Sequence, residues 1–229
     1  MDNYFVSSGK RVKDWICRQF GQKEKKTVHH KKFADGGEVI VWETGRAGEE
    51  AASYENLFLR KEIAGFRTNI RREQSCSIKS LTRDYLYKQL LSSGEYTFDH
   101  MLVIKDPYGE APLTALALFI LEEPACVRVT TKGNLKETDF VTELPKKKEH
   151  RVPILGMYAE KANDIVIEIL DDEGNCVKSH TFTIRTKRLP KSLRNVITVK
   201  KWTDKPAYSN IMINGGVKIH TCVFDIEGK

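Results

Sequence analysis

The sequence predicts a mainly β chain, α+β overall, in which a two-sheet β-sandwich follows an N-terminal helical segment. Three observations predict it. Hydrophobic periodicity is helical up to Ser92-Ser93-Gly94 and strand-like after it. Beyond Gly94, apolar or alternating runs at 101–104, 113–121, 126–131, 150–155, 164–170 and 177–186 are separated by clusters of Pro, Gly, Asn and Asp. The densest cluster, Asp106-Pro107-Tyr108-Gly109-Glu110-Ala111-Pro112, turns the backbone sharply into the most apolar run, 113–121. That run is too short to cross a bilayer and suits a central strand. Short strands at this spacing imply a sandwich of immunoglobulin-like kind, and the missing Cys-Trp-Cys hallmark of antibody domains leaves only the architecture implied.

In chain order, residues 1–50 form a basic N-terminal segment that is expected to be mobile. Within it, 8–20 suggests a short helix with Ser8 as N-cap and Val12, Trp15, Ile16 and Phe20 on one face. Residues 23–32 are a charged connector. The stretch Glu38-Val39-Ile40-Val41-Trp42-Glu43 lies between Gly36-Gly37 and Gly45, and reads as a short strand or hairpin arm. Residues 51–95 are a helical segment. Its first part, 54–70, offers Leu57, Phe58 and Phe66 for burial, with Gly65 weakening it by about 1 kcal/mol relative to Ala. After an interruption at 74–77, Ile78, Leu81, Tyr85, Leu86 and Leu90 make a stripe expected to pack on the β domain. Gly94 supplies the stop.

Residues 96–190 are the sandwich, with Leu116, Leu118, Ile120, Val127, Ile154, Ile167 and Ile169 as expected core. Pro124 is expected to close the central strand. Asp171-Asp172-Glu173-Gly174-Asn175 signals a hairpin, Lys132-Gly133-Asn134 a second turn, and Lys146-Lys147-Lys148 a charged loop between strands. Val177, Phe182 and Ile184 alternate imperfectly with polar residues. In 191–229, residues 195–199 suit an exit strand and 204–216 a loop and turn. Val217, Ile219, Thr221 and Val223 then alternate as a strand running into the turn 225–228.

The composition excludes several function classes. A net charge of +7 permits an anionic partner, but the cations are scattered and aromatic residues, at 9%, sit at core positions, so no nucleic-acid partner is expected. Five cysteines, Cys17, Cys76, Cys126, Cys176 and Cys222, contain no Cys-x-x-Cys pair and fit free thiols. Of the six histidines, only His29-His30 are adjacent, and they read as a solvated basic stretch; no metal ligand is expected. No signal peptide or membrane span is legible, so as written the chain is expected in the cytoplasm. Gly-x-Ser-x-Gly, His-Glu-x-x-His and phosphate-loop patterns are absent.

One ordered set of motifs resembles a known family. Asp106-Pro-Tyr-Gly-x-x-Pro-Leu-Thr-Ala115 is followed by Glu123-Pro124 and Val127-x-Val129. Then come His150-x-Val-Pro-Ile-Leu-Gly-Met-Tyr158, Asp171-Asp-Glu-Gly174 and Thr183-Ile-x-Thr-x-x-Leu-Pro190. Together these resemble the N-terminal domain of bacterial arylsulfate sulfotransferases, enzymes that work without a nucleotide sulfate donor, over about residues 85–190. Many members of that family are extracytoplasmic. The resemblance implies a sandwich followed by a large β-propeller, with the chain stopping near the first propeller strand at Phe224-Asp225-x-x-Gly228.

The family moves a sulfuryl group from aryl sulfates to phenols through a covalent histidine, helped by further histidines and an arginine around the propeller channel. None of His29, His30, His100, His150, His180 or His220 falls in a matching motif. No catalytic, cofactor-binding or metal residue is therefore carried over, no cofactor is expected, and the chain alone is expected to be inactive. The implied partners are a downstream propeller polypeptide or a second copy joined through the sandwich, with phenolic substrates only for a full-length relative. The alternative is a free-standing β-sandwich binding module without enzymatic activity.

Overall fold

A computed structural model describes residues 29–62, 72–189, 210–213 and 222–225, with side chains over 29–55 and 79–189. The chain is mainly β. Strand β1 (His29–Lys32) forms an antiparallel hairpin with β2 (Glu38–Trp42), and β2 runs parallel to β3 (His100–Lys105). Helices α1 (Thr44–Glu62) and α2 (Arg72–Ser92) lie in that parallel connection. The long β4 (Ala115–Thr131) pairs with β3 through its first half and with β6 (Ala162–Leu170) through its second, while β5 (Phe140–Ile154) follows it along its whole length. Strand β7 (Cys176–Arg185) completes a seven-stranded sheet of order β1-β2-β3-β4-β6-β7, with β5 beside β4. Strands β8 (Asn210–Ile213) and β9 (Cys222–Asp225) form a separate antiparallel pair.

The apolar run 115–121 is continuous because both of its faces are covered. Ala115, Ala117, Phe119 and Leu121 join Val39, Val41, Met101, Val103, Val152, Ile154, Ile165, Ile167, Phe182 and Ile184 in one cluster. Leu116 and Leu118 face the opposite way, onto Leu102 and Ile104 and beneath Ala47 and Ala51 of α1 and Leu86, Tyr87 and Leu91 of α2. Past the bulge only one face of β4 is in the main cluster, and the sequence there alternates: Val127 and Val129 are inside, with Arg128 pairing Glu143 at 2.8 Å on the other side. The sheet curls until its last strand approaches its first. Lys31 Nζ donates to the Thr181 carbonyl, Phe33 stacks on His180 at 4.2 Å, and Lys105 Nζ donates to the Arg185 carbonyl at 3.4 Å.

Several expectations need correction. Pro124 does not close the central strand. β4 continues past it through register shifts between Ile120 and Ala125 and between Ala125 and Val127, because a bulge is where a residue without an N–H costs no ladder bond. Lys146-Lys147-Lys148 lie in strand β5, not in a loop, and among the described residues β5 pairs with β4 alone. The last four residues of the charged connector, His29–Lys32, are strand β1. The helical segment begins earlier than predicted, at Thr44, and the second helix runs unbroken through 74–77. Helix α2 does pack on the sheet, through Leu86 and Leu90 of the predicted stripe together with Tyr87 and Leu91. Leu81 and Tyr85 are 55% and 40% exposed, and Tyr85 meets Tyr54 of α1 edge-on.

Strand β8 occupies part of 204–216, which reads as loop. Of the predicted core, Leu116, Leu118, Val127, Ile154 and Ile167 are buried, whereas Ile120 and Ile169 are half-buried. The readings at 8–20 and 195–199 lie outside the described residues, as do Cys17 and His220. No helix among the described residues is long and apolar enough to cross a membrane.

Candidate functional site

The turn at 106–114 is built as a rigid loop. Asp106 sits at φ 47 and Gly109 at φ 78, the left-handed region that Asp tolerates and glycine favours. The Asp106 carboxylate accepts from the Ala111 N–H at 2.9 Å, and its own N–H donates to the Thr114 carbonyl at 2.8 Å, tying the loop's two ends together.

Helix α2 holds the loop from above. The Tyr87 hydroxyl donates to the Pro107 carbonyl, and an Arg83 nitrogen reaches the same carbonyl at 3.3 Å. The Tyr108 hydroxyl donates to Asp84 at 2.6 Å, and Arg151 of β5 donates to Asp84 and, at 3.2 Å, to the Tyr108 hydroxyl. Burial, with the neighbouring Asp84 carboxylate adding to it, raises the Tyr108 pKa, and burial raises that of Tyr87 well above the ordinary phenol range. Both hydroxyls therefore remain protonated donors, and neither is a ready nucleophile.

Beside the loop lies a groove of about 280 Å³, lined by Glu43, Thr44, Lys105, Arg185 and Lys187 among others. Glu43 bridges Lys105 at 3.1 Å and Lys187 at 3.4 Å. Burial alone would raise the Glu43 pKa, but these two ammonium groups outweigh it and lower it. The groove's main carboxylate is thus engaged by its own cations.

The histidines are structural where they are buried. His150 Nε2 lies 2.8 Å from the Lys147 carbonyl, and its ring stacks on Phe119 at 5.3 Å. Burial lowers its pKa, against the opposing hydrogen bonds to the Lys147 and Ala125 backbone. His180 is sandwiched between Phe33 and Phe98, with Nε2 at 3.1 Å from Asp99. His100 pairs with Glu38 at 2.9 Å on the surface, and His29 and His30 are exposed on β1.

Comparison with known proteins bears on the same strands. Residues 102–187 match the model of the arylsulfotransferase Ig-like domain. Over those residues the chain is similar to that family. Neither a search of curated proteins nor one of solved structures returned a match. The arylsulfotransferase Ig-like domain thus runs from β3 to the end of β7 and covers less than half of the chain. The β1–β2 hairpin and both helices lie outside it.

Within this domain the Asp-Pro-Tyr-Gly turn is a docking element: its tyrosine and its first proline's carbonyl are what α2 grips. Sequence reading located that turn but not its grip, since Asp84 and Arg151 are 67 residues apart and neither stands in a motif. It also missed that His180 takes an inward slot. The inward set on β7 is His180, Phe182 and Ile184, and Val177 is 68% exposed.

The His150 pKa shift has a measurable consequence. Because the folded state holds the imidazole neutral, the unfolded chain takes up the proton first as pH falls through the ordinary value of 6.5. Stability is expected to decline below that pH, until the folded-state pKa is also passed. Urea midpoints between pH 8 and pH 5 are the measurement. In His150→Gln the decline should be shallower than in the wild type. An unchanged slope would assign the pH dependence to other groups.

Proposed function

We propose that residues 96–190 form an immunoglobulin-like β-sandwich serving as the non-catalytic, structural part of an arylsulfotransferase, with β8 and β9 belonging to the propeller unit that the family resemblance implies. In such an enzyme sulfuryl transfer needs an in-line imidazole nucleophile and preorganised cationic donors around the sulfate oxygens. The observation that carries the proposal is the state of the buried imidazoles. His150 and His180 are each committed to a carbonyl or a carboxylate and stacked on phenylalanine. The groove cations Lys105 and Lys187 are paired with Glu43, and no histidine lines that groove.

The purified chain is therefore expected to release no phenol above background from a chromogenic aryl sulfate with a phenolic acceptor present. Turnover that disappears on replacing His150, His180 or His220 would place a catalytic site within this chain and end the proposal.

A further inference from the structure

We propose that Asp35, Asp99 and His180 form a binding site for a divalent cation of the zinc type, closing the seam between the first and last strands of the curled sheet. Sequence reading expected no metal ligand because it looked for neighbouring histidines. The fold instead gathers three separated residues: Asp35 from the β1–β2 turn, Asp99 from the residue before β3, and His180 from β7. One donor atom of each lies within 4.8 Å of the other two. Two ligands bonded at about 2.0–2.2 Å to one ion lie at most about 4.4 Å apart, so these donors need only a small adjustment to share one.

The donors are held in advance. The imidazole is buried and clamped between Phe33 at 4.2 Å and Phe98 at 4.7 Å, with Nε2 facing Asp99. The Asp35 carboxylate is oriented by the Gly37 N–H at 3.0 Å.

Gly37 borders the cluster, and a Cβ there would crowd it, standing 3.0 Å from the Asp99 carbonyl oxygen, 3.2 Å from Asp35 Oδ1 and 3.4 Å from His180 Cε1.

The donor set selects the ion. An imidazole nitrogen beside two carboxylate oxygens suits Zn²⁺ and its borderline neighbours. Mg²⁺ and Ca²⁺ prefer oxygen throughout. Three protein ligands leave a fourth position to water. Lys178 is the competitor, since its ammonium group pairs with Asp99. Its side chain is 40% exposed, so it can swing into solvent when a cation takes its place. An ion held here would tie β7 to the β1–β2 turn and the start of β3, with which it shares no backbone ladder, and by binding only the folded chain it would raise its stability.

The test uses the full chain, stripped with chelator and titrated with Zn²⁺, with Co²⁺ as a spectroscopic substitute. Asp35→Asn is the informative variant, because an amide oxygen can still accept from the Gly37 N–H while the charged ligand is lost. Wild type should bind one more Zn²⁺ than Asp35→Asn, or bind it more than about a hundredfold tighter, exceeding the roughly 10–100-fold that an outer-sphere partner contributes. Its thermal midpoint should rise with Zn²⁺ where that of Asp35→Asn does not. Lys178→Gln should bind more tightly than wild type. Equal binding by wild type and Asp35→Asn, no binding by wild type, or weaker binding by Lys178→Gln each overturns the site.

Discussion

Residues 95–189 expressed alone should show no cooperative urea transition, whereas 29–189 should show one. The family match begins at Leu102, yet the outer faces of β3 and β4 are apolar and rely on the preceding helices. Leu102, Ile104, Leu116 and Leu118 are at most 7% exposed in the presence of Ala47, Ala51, Leu86, Tyr87 and Leu91. Uncovering four such side chains forfeits about 1.5–3 kcal/mol each. That total is comparable with the whole stability of an ordinary domain, about 5–15 kcal/mol. The β2 ladder on β3 would be lost as well, leaving an open edge where Val39 pairs Met101 and Val41 pairs Val103. Far-UV circular dichroism against urea is the measurement. A sigmoidal transition in the short fragment would show that the matched strands are self-sufficient.

Leu118→Ala in the full chain should lower stability by about 2–5 kcal/mol, the range for truncating a fully packed leucine. Leu118 is 0% exposed, pairs with Leu102 across the β3–β4 ladder and lies under the helices. Val177→Ala is the control. Val177 is 68% exposed, and its truncation should stay within about 0.5 kcal/mol. Denaturant midpoints of the two variants give the comparison, and a Leu118→Ala value near that of Val177→Ala would mean that the helical layer does not seat on β4.

The parts of this fold legible in the sequence were those set by local chemistry. Asp171 accepts from the N–H groups of Glu173 and Asn175 at 3.1 and 2.7 Å, as an Asp-Gly hairpin turn predicts, and Ser93-Gly94 ends α2. The apolar run of β4 announced a strand covered on both sides. What was not legible depends on distant partners. Pro124 reads as a terminator unless β5 is known to accommodate a bulge beside it. The α2 stripe is legible only in part: Leu86 and Leu90 turn to the sheet as its spacing implies, whereas Tyr87, the most completely buried residue there, meets Pro107 and Tyr108 from a distant loop. The Asp35–Asp99–His180 cluster brings His180 to residues at least 81 positions away, across a seam with no ladder to reveal it.

The outer flank of β5 has a consequence for self-association. Backbone donors and acceptors on an unpaired flank invite a second chain to add a strand, and repeated addition builds fibres. Here Pro145 and Pro153 supply no N–H, and Lys146, Lys147 and Lys148 fall in consecutive positions between them. An antiparallel copy laid along this flank would meet gaps in its hydrogen-bond ladder and like charge opposite like charge. Growth by edge-to-edge polymerisation through the β5 flank, unpaired among the described residues, is therefore opposed.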